Sequence, residues 1–194
     1  PLDICESSGS DSKALELAVD RTGRWAVRSL QAHSDGDQVL FGIVQGGVDH
    51  NLRERSATFI TSLGFPGYAV GGLSVGESKG DLYDTVGLTT QMLPSSAPRY
   101  LMGVGYPEDL VECVARGVDM FDCVLPTRVA RNGALFTRLG RIDIHQSQYK
   151  NHWNPISDTC LCYTCGNFSL GYIHHLFKSR EILGLRLAPI HHLH

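Results

Sequence analysis

The sequence contains no long apolar run and no secretion signal. None of its hydrophobic stretches approaches the roughly 18–20 residues that a membrane-spanning helix requires, and no signal-peptide pattern is present. We therefore expect a soluble, cytoplasmic protein without a membrane partner. A third absence concerns nucleotide cofactors: no glycine-rich fingerprint follows a first strand pattern, which argues against a Rossmann-type fold.

The two ends of the sequence look cut. The chain starts at Pro1 rather than Met and enters the strand-like segment PLDIC at once, and it stops at APIHHLH without a helix stop signal. Its 194 residues, 42% hydrophobic and 19% charged, suit one globular domain with a small appendage. We expect a fragment of a longer protein.

Charge is unevenly distributed along the chain. Residues 1–120 hold 9 Lys/Arg and 16 Asp/Glu, whereas residues 121–194 hold 8 Lys/Arg, 4 Asp/Glu and seven of the nine His. The basic last third suggests an anionic partner for that part of the molecule. On charge alone, ordinary surface variation explains the difference equally well.

Short apolar runs alternate with helical patterns before residue 129. The runs with the length and composition of buried strands are VLFGIVQG (39–46), GYAVGGL (67–73), RYLMGVG (99–105) and MFDCVL (120–125). The alternation predicts parallel βαβ units, and polar or glycine residues gather where the strands end, as in barrel enzymes. We predict an α/β fold of the (β/α)8 TIM-barrel type, incomplete because a full barrel needs roughly 250 residues. Residues 1–128 are assigned to the C-terminal part of the catalytic barrel.

A cysteine cluster marks the remaining segment, 129–194, as an inserted zinc-binding subdomain that leads back toward the barrel. Cys160, Cys162 and Cys165 place three thiols within one tight turn. Without a secretion signal, such a cluster indicates a metal before a disulfide. Zn²⁺ prefers four sulfur or nitrogen ligands in a tetrahedron, and a site closed by four protein ligands is structural. The residues alone leave the fourth ligand open among four histidines: His174, His175, His191 and His192.

Asp122 lies inside an apolar strand pattern, where an unpartnered carboxylate is costly to bury. Strand ends of barrels supply catalytic carboxylates, so we interpret it as a candidate catalytic residue. Gly71 and Gly72 would let a flat ligand approach the backbone, and the Gln45 amide suits a nucleobase edge. Two arginines just past the strand suit phosphate binding: Arg128 and Arg131. Each of these features also has an ordinary structural explanation. Asp122 could be paired with an arginine, the two glycines could form a turn, the Gln45 amide could be satisfied within a loop, and the two arginines could be solvated surface residues.

Longer motifs carry a resemblance to a known family. FGIVQGG, GYAVGGLSVGES, RYLMGVG, DMFDCVLPTR followed by RNG, and CLCYTC with a later IHH resemble the tRNA-guanine transglycosylase family over nearly the whole chain. The resemblance implies a (β/α)8 barrel with a zinc-binding insertion near its C-terminal end. It also implies an enzyme of queuosine biosynthesis that replaces guanine at the wobble position of tRNAs with a GUN anticodon by preQ1, a 7-deazaguanine.

The resemblance assigns roles to individual residues. Asp122 matches the nucleophile, whose carboxylate attacks the ribose C1′ and forms a covalent intermediate that the new base then displaces. Arg128 and Arg131 match positions that hold neighbouring RNA phosphates. Base-binding positions are matched by Asp3, Gln45, Gly71, Gly72, Leu73 and Met102. The zinc ligands are matched by Cys160, Cys162, Cys165 and His191.

Val75 and Cys5 resemble the bacterial branch, which uses preQ1 and typically forms homodimers with help from the zinc subdomain. The branch that accepts the bulkier queuine typically has Gly at the position of Val75. Three alternatives share part of this pattern: a catalytically silent tRNA-binding partner subunit of the same fold, an archaeal-type enzyme acting elsewhere in tRNA, and a generic zinc-stabilised barrel. Retention of Asp122 with an intact CVLPTR argues against the silent subunit.

The sequence also departs from the family pattern. The second catalytic aspartate would precede Pro1 and further helices would follow His194, so we expect this stretch alone to be inactive. Individual positions differ as well, since Tyr106 replaces a frequent Lys, Ile4 a common Glu and His192 a common Asn.

Overall fold

A computed structural model describes residues 1–34 and 36–194, which form two compact units, Pro1–Cys123 and Val124–His194. The boundary predicted after Arg128 lies inside a helix of the second unit, Leu125–Arg131. The assignment of the parts to a barrel and a zinc subdomain stays a prediction. Within the described ranges, no helix is both long and apolar enough to cross a membrane.

The first unit alternates helices and strands, as predicted. Short side chains cap three of its helices: Asp11, Asp49 and Ser78 each accept a hydrogen bond from the backbone N–H three residues later. The fourth begins at Pro107, whose missing N–H costs nothing in a first turn. The elements are α1 (Ser12–Ala32), β1 (Phe41–Val44), α2 (His50–Ser62), β2 (Gly67–Val70), α3 (Lys79–Met92), β3 (Arg99–Met102), α4 (Pro107–Ala115) and β4 (Met120–Asp122).

The strands form a four-stranded parallel sheet in the order β1-β2-β3-β4, which confirms the predicted α/β class with a parallel sheet. The helices contact one another in the same order, α1 with α2, α2 with α3 and α3 with α4. Parallel crossovers share one hand, so a strand order without reversal places all crossover helices on one face of the sheet. Val44, Val70 and Leu101 occupy one register row on that face and belong to the buried core.

The second unit contains a hairpin and short helices. Its elements are α5 (Leu125–Arg131), β5 (Ala134–Thr137), β6 (Gly140–Asp143), a 3₁₀ turn (Ser147–Tyr149), α6 (Tyr163–Asn167), α7 (Leu170–Lys178) and α8 (Ile182–His192). β5 and β6 pair antiparallel and form a hairpin. The unit has its own buried core, which includes Leu135, Ile144 and Ile173 as well as Cys162 and Cys165.

Two sequence expectations are wrong. PLDIC forms no strand; instead, the Ile4 N–H donates to the Thr22 hydroxyl of α1 at 3.1 Å. The run MFDCVL is also not a buried strand. β4 ends at Asp122, because Pro126 starts a helix, and among the described residues β4 pairs only with β3. Met120 on this edge strand is therefore 47% exposed.

A fully buried arginine joins the ends of two strands. The Arg53 guanidinium donates to the carbonyls of Gly47 at 2.7 Å, Val44 at 3.1 Å and Gly72 at 3.3 Å, and its exposure is 0%. Burial lowers the pKa of Arg53 to about 10, so it stays charged at neutral pH. The three carbonyl dipoles offset part of the cost of burying this charge.

We expect Arg53→Met to destabilise the protein by on the order of 3 kcal/mol, because it leaves buried carbonyls without a donor. Urea denaturation followed by circular dichroism measures the loss. Arg55→Met is the matched control: its ion pair with Asp20 spans 3.1 Å between side chains that are 49% and 54% exposed, so it should cost at most about 1 kcal/mol. Equal losses in both variants would contradict the role given to Arg53.

Candidate active site and metal centre

The predicted site residues of the first unit gather at the carboxyl edge of the sheet. Met102 pairs with Asp122 in the register, and Gln45 and Gly71 directly follow the paired residues Val44 and Val70. Side chains alternate between faces along a strand. The row of Gln45, Gly71, Met102 and Asp122 therefore lies on the face opposite the helices.

Asp122 is exposed and held through one oxygen. The Tyr100 hydroxyl donates to its Oδ1 at 2.5 Å, and the Gly103 N–H donates to the same oxygen at 3.2 Å. Burial and the hydrogen bond to Asp122 raise the pKa of Tyr100 to about 12, so the phenol remains a donor. Both bonds orient the carboxylate without engaging Oδ2, which makes Oδ2 the candidate reacting atom.

Asp3 and Gln45 form a hydrogen-bonded pair beside the glycines. The Gln45 Nε2 donates to Asp3 Oδ2 at 2.6 Å, which orients the amide because a carboxylate only accepts. A Cβ at Gly71 would lie 2.7 Å from that Nε2 and 2.8 Å from Ile43 Cγ2, so only glycine fits. Gln45 is 2% exposed, and its backbone N–H donates to the Ser56 hydroxyl at 3.0 Å. The pair thus presents fixed polar atoms at the sheet edge.

The loop after β2 is held by opposite charges. Gly72 (φ 67°) and Ser74 (φ 60°) adopt the left-handed region, which is unusual for serine. The Glu77 carboxylate accepts from the N–H groups of Ser74 and Val75, the latter at 2.9 Å. Arg53 holds the Gly72 carbonyl from the other side. The backbone of Gly72 is therefore fixed, and the Leu73 side chain is buried at 5% exposure.

The second unit brings Cys160, Cys162, Cys165 and His191 together, with all ligand atoms within 4.8 Å of one another. The His191 Nδ1 lies 3.6, 3.7 and 3.4 Å from the three sulfurs in that order. In a tetrahedron with metal–sulfur and metal–nitrogen distances of about 2.3 and 2.0–2.1 Å, sulfur and nitrogen are about 3.5 Å apart. These four side chains could hold a metal ion.

The pKa values of the thiols reflect burial and the short distances between the sulfurs. Burial opposes ionisation of Cys160, but hydrogen bonds from the Cys162 backbone and from the Cys162 and Cys165 thiols outweigh it and lower the pKa of Cys160. Burial raises the pKa of Cys165 to about 12, and the adjacent sulfurs add to this effect. Several thiolates cannot form side by side unless a cation compensates them.

Three of the four candidate histidines have other partners. His174 is buried and lies 2.6 Å from the Ile144 carbonyl, His175 stacks on Tyr172, and His192 faces the Pro126 carbonyl at 2.8 Å. His191 places Nε2 at 2.9 Å from the Phe136 carbonyl, so Nε2 carries the proton and Nδ1 turns its lone pair to the sulfurs.

The two arginines predicted to bind phosphate lie in the last turn of α5. Arg128 and Arg131 are both exposed, as phosphate contact requires.

Sequence reasoning missed Arg53, Glu77 and Tyr100. Arg53 had a visible signal, because it lies three and seven residues before Ser56 and Ile60 on the buried face of α2. Tyr100 had a weaker signal, the two-residue spacing that puts it on the same strand face as Met102. No local pattern indicated the contact of Glu77 with the backbone.

Comparison with known proteins assigns the chain to a family. The family model described as queuine tRNA-ribosyltransferase matches residues 1–194. Proteins named queuine tRNA-ribosyltransferase are similar to 99% of this chain: one from Dehalococcoides mccartyi is 54% identical over 192 residues, one from Staphylococcus haemolyticus 52% over 193 and one from a Thermoanaerobacter species 51% over 193. The chain covers 49%, 51% and 52% of their lengths, so it spans about half of the curated relatives it matches. The predicted family is confirmed, and the chain belongs to the queuine tRNA-ribosyltransferase family.

Proposed function

We propose that the protein carrying this chain is a tRNA-guanine transglycosylase of queuosine biosynthesis, which exchanges guanine at the wobble position of tRNAs with a GUN anticodon for preQ1. The observation that carries the proposal is the row of Gln45, Gly71, Met102 and Asp122 at one sheet edge. It sets an oriented carboxylate on the same sheet edge as fixed polar atoms that suit a base. Family membership supports the same reaction. Cytoplasmic tRNA is the substrate pool.

The sheet is proposed to be part of a (β/α)8 barrel. Its strands follow chain order with the crossover helices on one face, as in a barrel wall, whereas a doubly wound sheet reverses its order at a switch point. Catalytic residues of barrels lie at the carboxyl ends of the strands. Asp122 has that position.

Asp122 acts as the nucleophile in this proposal. Its Oδ2 attacks C1′ of the ribose while Tyr100 and Gly103 hold Oδ1, and the C1′–N9 bond breaks with its electron pair leaving on guanine, which is protonated as it departs. N9 of preQ1 then attacks C1′, its proton is released, and the Asp122–C1′ bond breaks. Two displacements retain the configuration at C1′, as in retaining glycosidases.

Base recognition is assigned to the residues around Gln45. Asp3 accepts hydrogen bonds from the ring N–H and exocyclic amine of a guanine-like base, while Gln45 and the Gly72 N–H serve its carbonyl. Gly71 leaves the space that a flat base needs. The Leu73 carbonyl receives the aminomethyl group of preQ1, and Met102 packs on the ring.

RNA contact is assigned to Arg128 and Arg131, which bind phosphates next to the target nucleotide. They follow Asp122 by six and nine residues in the chain, and both are exposed. The basic composition of residues 121–194, with 8 Lys/Arg against 4 Asp/Glu, supports an anionic partner.

Zinc is the metal proposed for the cluster of Cys160, Cys162, Cys165 and His191. Three thiolates and an imidazole at tetrahedral spacing favour Zn²⁺. Four protein ligands leave no open position, so zinc supplies folding energy and takes no part in base exchange.

A homodimer is proposed with the second unit in its interface. Tyr163, Phe168, Tyr172 and His175 form a continuous series of ring contacts. Tyr163 is 60% exposed and Tyr172 41% exposed. Aromatic side chains of this kind are enriched at protein interfaces.

We expect the purified protein to contain about one zinc per chain by elemental analysis. In the native state Cys160, Cys162 and Cys165 should resist alkylation, and they should react after chelation. Exposed Cys5 serves as the reactive control and buried Cys113 as the protected one. Absence of metal together with rapid native alkylation of the cluster would refute the assignment.

In the full-length protein that carries this chain, we expect Val75→Gly to increase queuine incorporation more than preQ1 incorporation, because a β-branched side chain leaves less room for a cyclopentenyl substituent. Val75 is half-buried next to the Gly72 loop. Val75→Ala should fall between wild type and the glycine variant. Equal changes for the two bases, measured as competing incorporation into tRNA, would show that specificity is set elsewhere.

In the full-length protein that carries this chain, we expect Asp122→Ala to abolish base exchange and to leave tRNA affinity nearly unchanged, since affinity comes mostly from phosphate contacts. Exchange of radiolabelled guanine measures activity, and a denaturing gel of protein, tRNA and 9-deazaguanine detects the covalent complex. Asp119→Asn is the control, because Asp119 is an exposed carboxylate three residues upstream that accepts from the Arg99 N–H. A covalent band in Asp122→Ala would rule Asp122 out as the nucleophile.

A further inference from the structure

His192 has contacts that the proposed mechanism does not use. Its Nε2 lies 2.9 Å from the Phe136 N–H and its Nδ1 lies 2.8 Å from the Pro126 carbonyl. The ring also stacks on the Phe136 ring, with centroids 5.0 Å apart and planes 25° apart. The side chain therefore joins α8 to both β5 and α5 within the second unit.

The partners of His192 determine which ring nitrogen carries the proton. A backbone N–H only donates, so Nε2 must accept from Phe136, and a carbonyl only accepts, so Nδ1 must donate to Pro126. The neutral ring makes both bonds at once. A phenyl ring of similar shape would make neither.

The preceding residue, His191, is part of the metal centre and holds the same backbone segment. Its Nε2–H donates to the Phe136 carbonyl at 2.9 Å, while its Nδ1 faces the three sulfurs. Phe136 is thus held through its carbonyl by His191 and through its N–H by His192. A series of contacts runs from the metal ligands through Phe136 and His192 to Pro126 in α5.

Helix α5 needs such support. It has only seven residues, Leu125–Arg131, and isolated helices of that length are not stable in water. It packs against α8. The C-terminal part of α8 also lacks one backbone hydrogen bond, because Pro189 inside the helix has no N–H to donate. Side-chain contacts of His191 and His192 therefore hold the end of α8 and, through it, α5.

We propose that His192 is a positioning residue that couples the metal centre to α5, so that a bound metal orders the helix that carries Arg128 and Arg131. The consequence for RNA rests on the proposed function of these arginines. The coupling itself rests only on contacts within the second unit. Metal binding and the capacity to hold RNA phosphates are then linked without any contact between metal and RNA.

The test compares the full-length protein carrying this chain with its His192→Phe and His192→Asn variants, each zinc-loaded and after chelation. His192→Phe keeps the stacking and loses both hydrogen bonds, whereas His192→Asn keeps a short donor that can reach Pro126. Zinc content and circular dichroism show that each variant is folded and loaded. Hydrogen exchange of residues 125–131 measures the order of α5, and titration with an anticodon stem-loop RNA measures binding.

In wild type, chelation should increase exchange in residues 125–131 and weaken RNA binding about tenfold, the order expected from losing one or two net hydrogen bonds. Zinc-loaded His192→Phe should show both effects with an unchanged zinc content, and chelation should then add less than it does in wild type. His192→Asn should lie between wild type and His192→Phe, because it keeps a donor for Pro126 but loses the ring nitrogen that accepts from the Phe136 N–H. The coupling would be overturned if residues 125–131 of zinc-loaded His192→Phe showed the hydrogen exchange of wild type. It would also be overturned if chelation increased hydrogen exchange in that variant as much as it does in wild type.

Arg128→Ala combined with Arg131→Ala separates this inference from the proposed function. Loss of RNA affinity in the arginine variant supports the proposed phosphate contacts. If that variant binds RNA like wild type, the phosphate role fails. In that case the coupling is still supported or overturned by the exchange of residues 125–131 in His192→Phe.

Discussion

The carboxyl edge of the sheet depends on one buried cation. Arg53 lies on α2, behind the sheet, and its guanidinium satisfies carbonyls at the end of β1 and in the loop after β2. A lysine could not hold three carbonyls in one plane, because its ammonium group lacks the planar fork of donors. Burial lowers the pKa of Arg53 to about 10, and the charge of Glu77 favours the protonated form. Since Glu77 also holds the N–H groups of Ser74 and Val75, the two charges fix the loop from both sides.

This constraint explains why the edge can be both polar and ordered. Loop ends usually satisfy their carbonyls with water, which would compete with a base for the same space. Here the arginine donates to those carbonyls from the helix side, and the polar side chains Gln45 and Asp122 are oriented by hydrogen bonds of their own. Gln45 is fixed by Asp3, and Asp122 is fixed by Tyr100 and Gly103 through a single oxygen. Such preorganisation reduces the reorganisation that a reaction at Asp122 Oδ2 would require.

The sequence predicted the four parallel strands and their helices because each element had a local cause: an apolar run, a capping side chain or a proline. It also placed Gln45, Gly71 and Asp122 at strand ends, and the cysteine cluster was visible from spacing alone. Contacts distant in sequence were not predictable in this way. Nothing local shows that Arg53 donates across to Gly72, or which histidine turns its Nδ1 to the sulfurs. The burial expected for MFDCVL failed because burial of a strand depends on its neighbours, and β4 is an edge strand among the described residues.

The second unit shows how a small polar segment keeps a defined structure. Its helices are short and its hairpin has two strands of four residues, so secondary structure alone contributes little stability. A metal bound by the cysteine cluster would supply what a small core cannot, because folding and metal binding would then be one equilibrium. The position of the ligands decides how far that stabilisation reaches. Because His191 lies in the last turn of α8 and is hydrogen-bonded to Phe136, order at the sulfurs extends to β5, and His192 extends it to α5.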